Sequence, residues 1–259
     1  MRYLVLILFL SSCGTELIEN RPRDFEVRYS VGGGMIDSSE GMTIKPGICK
    51  YTRRYEGIEN SITFQLQKEE LDELYQVFRR NRFDKIRTDN KTLVYDKGGA
   101  SINLRVGHRF YNVGTSGTFV IRGKKEWRTI LAALNKIIER VKKKQEVPLR
   151  IILDKSLMNK HIYLNVLQKT LFYGLIDAQS KTRHIVRLIP GKYRIKTQLK
   201  KVFDKKNPNK YLYGPRGNII YQTYNFSLPR DKSITIKLRN GRLIFYSMKR
   251  SSAVPNGKR

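Results

Sequence analysis

The chain has 259 residues, with 52 Lys and Arg against 22 Asp and Glu, a formal net charge of +30. A hydrophobic share of 40% excludes a chain without a core, and two cysteines exclude a disulfide framework, so the fold must rest on buried apolar surface. A cationic excess of this size points to anionic partners, whether nucleic acid, lipid headgroups or acidic polysaccharide.

The chain opens MRYLVLILFLSSCG. Arg2 supplies a positive start, Tyr3 to Leu10 form an unbroken apolar run, and Ser11 and Ser12 place small residues before Cys13. This is the pattern of a secretion signal with its cleavage site, although LVLILFL also reads as a buried strand. Eight apolar residues make about 12 Å of helix, far short of the ~30 Å of a bilayer core. Leu10-Ser11-Ser12-Cys13 resembles the lipobox of bacterial lipoproteins, in which the cysteine receives diacylglycerol and becomes the first residue of the mature chain. The resemblance implies a signal peptide over 1–12, a tether over 13–23, an acyl lipid on Cys13 as the only group carried, and anchoring in a bacterial cell envelope. Several acyl chains on one residue hold firmly, at about 0.8 kcal/mol per buried methylene. Gly14 stands where an aspartate often retains such proteins in the inner membrane, which implies the outer membrane in a diderm cell.

Two halves of different charge follow. Residues 14–146 hold 26 Lys and Arg against 18 acids, and residues 147–259 hold 25 against 4. Between them, Arg140 to Lys144 end a helical pattern that Pro148 breaks, as a linker does. The expected domains are 24–145 and 148–250, with a flexible tail over 251–259. In the first, 25–31, 42–44, 48–55 and 62–66 read as strands. Leu71, Leu74, Tyr75 and Phe78 take the spacing of one helix face over 68–81, with Glu69 and Glu70 at its start and Arg79 and Arg80 at its end. Strands over 100–106 and 109–113 flank Gly107-His108. A second stripe, Trp127, Ile130, Leu131, Leu134, Ile137, Ile138 and Val141, predicts another amphipathic helix. Strands and helices in this order describe an α+β domain, an antiparallel sheet with both helices on one face.

The second half shows no helical stripe. Segments 149–153, 162–167, 171–176, 184–188, 192–199 and 219–226 read as strands. In 233–248, Ile234, Ile236 and Leu238 alternate with polar residues up to Asn240-Gly241, a strong hairpin signal. A two-residue turn there pairs Leu238 with Leu243 and Ile236 with Phe245 on the inner face, and Arg239 with Arg242 on the outer. Over 192–199, Tyr193, Ile195, Thr197 and Leu199 share one face and Lys192, Arg194 and Lys196 the other. The strand count predicts a mostly antiparallel β-sandwich. RLIPGKYRIKT also resembles the proline-glycine-then-strand signature of carboxypeptidase-regulatory-like and PEGA-type envelope sandwiches.

Catalytic chemistry has little to build on. The second half's acids are Asp154, Asp177, Asp204 and Asp231, and the crowded Glu69, Glu70, Asp72 and Glu73 read as a solvated helix start. His108, His161 and His184 lack the spacing of a zinc site. Cys49 reads as a buried strand cysteine, with a thiol paired to His108 as the sharper alternative. Gly32-Gly33-Gly34 lacks the Lys-Ser ending of a P-loop and reads as a turn or bulge. No catalytic residue and no metal ligand is assigned.

The lipobox also weighs on the partners. Basic residues interleaved with aromatics over 210–216 and 221–226 suit nucleic acid, but an exported, anchored chain meets anionic lipid, lipopolysaccharide and acidic polysaccharide instead. The expectation is a non-catalytic binding or assembly module touching such anions through Lys192, Arg194, Lys196, Lys237, Arg239 and Arg242. The alternatives are an envelope hydrolase with its site between the domains, an inhibitor or accessory subunit binding another envelope protein, and a lysine-rich composition with no ligand behind it.

Overall fold

Alternating apolar and polar residues build the first sheet, as in Glu26-Val27-Arg28-Tyr29, where Val27 and Tyr29 are buried and Arg28 is exposed. The computed structural model describes residues 17–33, 37–89, 94, 98–167, 169–200, 219–228, 231–240 and 242–249. They divide into two compact units, one drawn from Met1–Tyr51 and Thr63–Ile138, the other from Thr52–Ile62 and Glu139–Arg259. The fold is α+β, an antiparallel sheet carrying two amphipathic helices followed by a mostly antiparallel β-sandwich.

In the first unit, β1 (Glu26–Gly32), β2 (Ser38–Ile44), β3 (Cys49–Tyr55), β4 (Ile58–Phe64), β6 (Gly99–Val106) and β7 (Arg109–Gly114) form one sheet in the order β4-β3-β2-β1-β6-β7. The tip of the β3–β4 hairpin, 52–62, belongs to the second unit. A small ladder pairs β5 (Arg87–Thr88) with β8 (Val120–Arg122). Both helices lie on the same sheet face. Phe25, just before β1, meets Tyr75 and Phe78 of α1 (Lys68–Arg80) edge-on at 5.5 and 6.4 Å. Tyr29, on the same side of the strand, donates its hydroxyl to Asn135 Oδ1 of α2 (Lys124–Gln145) at 3.2 Å. The helix faces are the expected ones: Leu71, Leu74, Tyr75 and Phe78 are buried on α1, and Trp127, Ile130, Leu134 and Ile138 on α2. A capping box at Gln67 and Glu70 starts α1, with Gln67 N–H donating to Glu70 Oε2 at 2.9 Å.

Residues 17–24 are irregular, yet they are fastened along α1. Leu17 is buried, Tyr75 donates to the Ile18 carbonyl at 2.6 Å, Gln76 donates to the Glu19 carbonyl at 3.0 Å, and Arg21 pairs with Asp72 at 2.6 Å. Residues 1–16, which carry the lipobox motif and Cys13, lie outside the described residues, as do 210–216, Asp204 and 251–259.

The second unit is the sandwich. One sheet has the order β11-β10-β13-β14, from β10 (His161–Val166), β11 (Lys169–Leu175), β13 (Gly191–Lys200) and β14 (Ile219–Leu228). The other has the order β12-β9-β15-β16, from β9 (Val147–Leu153), β12 (Arg183–Leu188), β15 (Asp231–Arg239) and β16 (Arg242–Lys249). Every pairing is antiparallel except β9 with β15, which is parallel. Tyr193, Ile195, Thr197 and Leu199 of β13 are buried, as are Leu149, Ile151, Ile234, Ile236 and Leu243 of the facing sheet. Rings close both flanks: Tyr224 stacks on Phe245 at 4.9 Å, and Phe172 meets His184 edge-on at 6.0 Å. The β15–β16 register is the one that Asn240-Gly241 predicts, Ile236 with Phe245, Leu238 with Leu243 and Arg239 with Arg242, and Asn240 takes φ +50°.

Candidate anion-binding face

The six basic residues singled out in the sequence fall on two different sheets. Lys192, Arg194 and Lys196 stand on the outer side of β13, where the 52–62 hairpin tip also lies. Its two-residue turn, Glu56-Gly57, holds both residues at positive φ, +48° and +74°. Glu56 accepts a hydrogen bond from Lys196 Nζ, and its other oxygen is 3.8 Å from Arg194. Burial raises the Glu56 carboxyl, but the hydrogen bonds from Lys196 and Tyr55 and the Arg194 charge outweigh it and hold the group below its usual range. Partial burial and the adjacent carboxylate push Tyr55 up to about 12. Arg194 also donates to Asn225 Oδ1 at 3.2 Å.

Asn60, at the other side of the turn, is buried and pairs with the backbone of Lys192 as a strand would. Lys192 N–H donates to Asn60 Oδ1 at 2.7 Å, and Asn60 Nδ2 donates to the Lys192 carbonyl at 2.8 Å. The amide occupies the space beside Gly191, where a Cβ would come within 2.2 Å of Asn60 Oδ1. The Pro-Gly before this strand thus has a local cause: only glycine leaves room for Asn60. Two of the three β13 cations thus share one internal carboxylate, Glu56.

Lys237, Arg239 and Arg242 stand elsewhere, on the outer side of the β12-β9-β15-β16 sheet. Alternation along its strands sends Arg183, Ile185 and Arg187 of β12 outward, with Pro148, Arg150 and Ile152 of β9, Ser233, Thr235, Lys237 and Arg239 of β15, and Arg242, Ile244, Tyr246 and Met248 of β16. The registers set these side by side: Ile185 beside Arg150, Arg150 beside Ser233, Ser233 beside Met248, then Arg183 beside Ile152, Ile152 beside Thr235 and Thr235 beside Tyr246. Six cations, Arg150, Arg183, Arg187, Lys237, Arg239 and Arg242, are exposed on this one face. The four strands contain a single acid, Asp231, which is buried and accepts from Ser227 N–H at 2.8 Å and from the Ser247 hydroxyl. Lys237 reaches Asp154 at 3.6 Å and lies over the Tyr246 ring at 5.4 Å. The five arginines form no ion pair with a described residue.

Arg150, Arg183 and Arg187 escape a sequence reading that finds their strands but not the strand order. The parallel pairing of β9 with β15 is what joins them to Arg239 and Arg242.

The other candidate groups serve local structure. Asp154 accepts from Ser156 N–H at 3.0 Å, which with Lys237 holds its carboxyl below the usual range, and Asp177 accepts from Gln179 N–H and the Ser180 hydroxyl. Cys49 is buried, hydrogen bonds to the Lys45 carbonyl at 3.4 Å, and has its thiol pushed up by burial. His108 is exposed at the β6–β7 turn, His161 meets Tyr173 edge-on, and burial lowers His184. Among the described residues no three His, Cys, Asp or Glu side chains stand together as a metal site would need, and no helix is long and apolar enough to cross a membrane. No protein-family model matches the chain, and no curated protein matches it in sequence.

Proposed function

We propose that this chain is a lipid-anchored protein of a bacterial cell envelope, held by acyl lipid on Cys13. On this reading it acts as a non-catalytic binding or assembly module whose second unit engages anionic groups: lipid headgroups, lipopolysaccharide phosphates or acidic polysaccharide. The lipobox motif Leu10-Ser11-Ser12-Cys13 supports the anchor, and Gly14 favours the outer membrane. The observation that carries the binding role is the outer face of β12-β9-β15-β16, six exposed cations with no acid among its outward strand positions.

Each cation close to an anionic surface contributes about 1 kcal/mol, falling away within a Debye length of roughly 8 Å. Lys237 is paired with Asp154, and the five arginine terms correspond to a dissociation constant on the order of a few tenths of a millimolar. That is too weak to hold a protein alone but enough to orient one already anchored. Replacing Arg150, Arg183, Arg187, Lys237, Arg239 and Arg242 by Gln is expected to weaken binding to anionic liposomes at least tenfold and to flatten its salt dependence. Replacing Lys192, Arg194 and Lys196 is expected to change it far less, because Glu56 already holds two of them. Unchanged binding and unchanged salt dependence in the six-residue variant would overturn the proposal.

A further inference from the structure

The cationic face is not purely polar. Ile185 is 68% exposed, Met248 73% and Tyr246 46%. All three lie on its two edge strands: Ile185 on β12, between Arg183 and Arg187 and beside Arg150, and Tyr246 and Met248 on β16, beside Thr235 and Ser233. We infer that this face docks flat on an anionic lipid bilayer, with Ile185, Tyr246 and Met248 entering the headgroup layer between arginines that hold lipid phosphates. The inference rests on the anion-binding reading proposed above and names its partner.

Three features of the face select a bilayer over a soluble polyanion. A polysaccharide chain or a free phosphate needs cations and hydrogen-bond donors, and an exposed Ile, Tyr and Met on the same face add nothing to its capture. Apolar groups sharing one face with cations match an interface where charge attracts the surface and apolar area then enters the acyl boundary. Tyr246 has the amphipathic ring that such boundaries favour, and arginine stems can lie along apolar surface while their heads reach phosphate. The shape agrees as well. Four strands about 4.8 Å apart present a broad surface, not a groove that would grip one extended chain. The absence of acid from the outward strand positions is the charge complement of a phosphate plane.

The test uses the full chain carrying Cys13→Ser, so that an acyl anchor does not mask the comparison. Its probes are vesicles of equimolar phosphatidylglycerol and phosphatidylcholine, and dextran sulfate as a soluble polyanion. The triple variant Ile185→Ser, Tyr246→Ser, Met248→Ser is expected to lose roughly tenfold in vesicle affinity and to keep its dextran sulfate affinity. Equal vesicle affinity in the triple variant overturns the inference. If the arginine variants still lose both ligands, the anion-binding reading stands without it; if they lose neither, both readings fall. Ile185→Trp gives a readout that does not depend on how the triple variant folds. Its emission is expected to shift to the blue on vesicles and to be quenched by brominated lipid, and emission unchanged by vesicles overturns the inference.

Discussion

Glu56 stands at positive φ, where Asn or Gly would sit with less strain, and its carboxylate explains the choice by binding Lys196 and facing Arg194. Its folded pKa is depressed, so its stabilising effect is present above the ordinary carboxylate range and is lost as pH falls through the folded value. Tyr55 adds the opposite edge: its pKa is raised, so its contribution is full below about 10 and is lost as pH rises toward about 12. Glu56→Gln is expected to remove the acid edge, read as a melting temperature that falls less steeply below neutral pH than that of the parent. Asn60→Ala leaves both backbone groups of Lys192 without that partner and is expected to cost about 1–3 kcal/mol in denaturant unfolding. On the cationic face, Arg239 and Arg242 stand directly opposite each other. Arg242→Glu is expected to stabilise the fold by about 0.2–1 kcal/mol while weakening vesicle binding, a sign reversal that separates a binding role from a folding one.

Among the elements, the segment 17–24 shows how a stretch with no periodic pattern can still be held. Its ties are a tyrosine hydroxyl, a glutamine amide and one ion pair on α1, and none of these leaves a spacing signal in the sequence. Asp72→Asn and Tyr75→Phe are expected to speed tryptic cleavage at Arg23, followed by mass spectrometry, with the global melt nearly unchanged. Both helices and most strands were legible because apolar periodicity decides which face is buried. In the β3–β4 hairpin, β3 was legible, but the turn and the start of β4, read only from residue 62, were not, for two reasons. Glu-Gly is a weak turn signal beside Asn-Gly, and β4 carries Asn60 at an inward position where alternation calls for an apolar residue. The cationic face was half legible: Lys237, Arg239 and Arg242 follow from one hairpin, but Arg150, Arg183 and Arg187 join them only through a parallel pairing that no local pattern announces.

For the whole molecule, the +30 charge becomes specific once it is divided. On β13 the cations serve the fold by holding a hairpin tip, whereas on β12-β9-β15-β16 they face solvent. Under the proposed anchoring the chain works beside anionic lipid, and the segment 17–24 fastened along α1 limits the leash of the first unit. Only the residues from Cys13 to Leu17 separate the proposed lipid from buried chain, a reach of at most about 14 Å. The most direct test of this account is metabolic palmitate labelling of the wild type and Cys13→Ser, followed by membrane fractionation. The account predicts labelled wild-type protein in the membrane fraction and loss of both label and stable membrane retention in Cys13→Ser. Label retained in Cys13→Ser would contradict it.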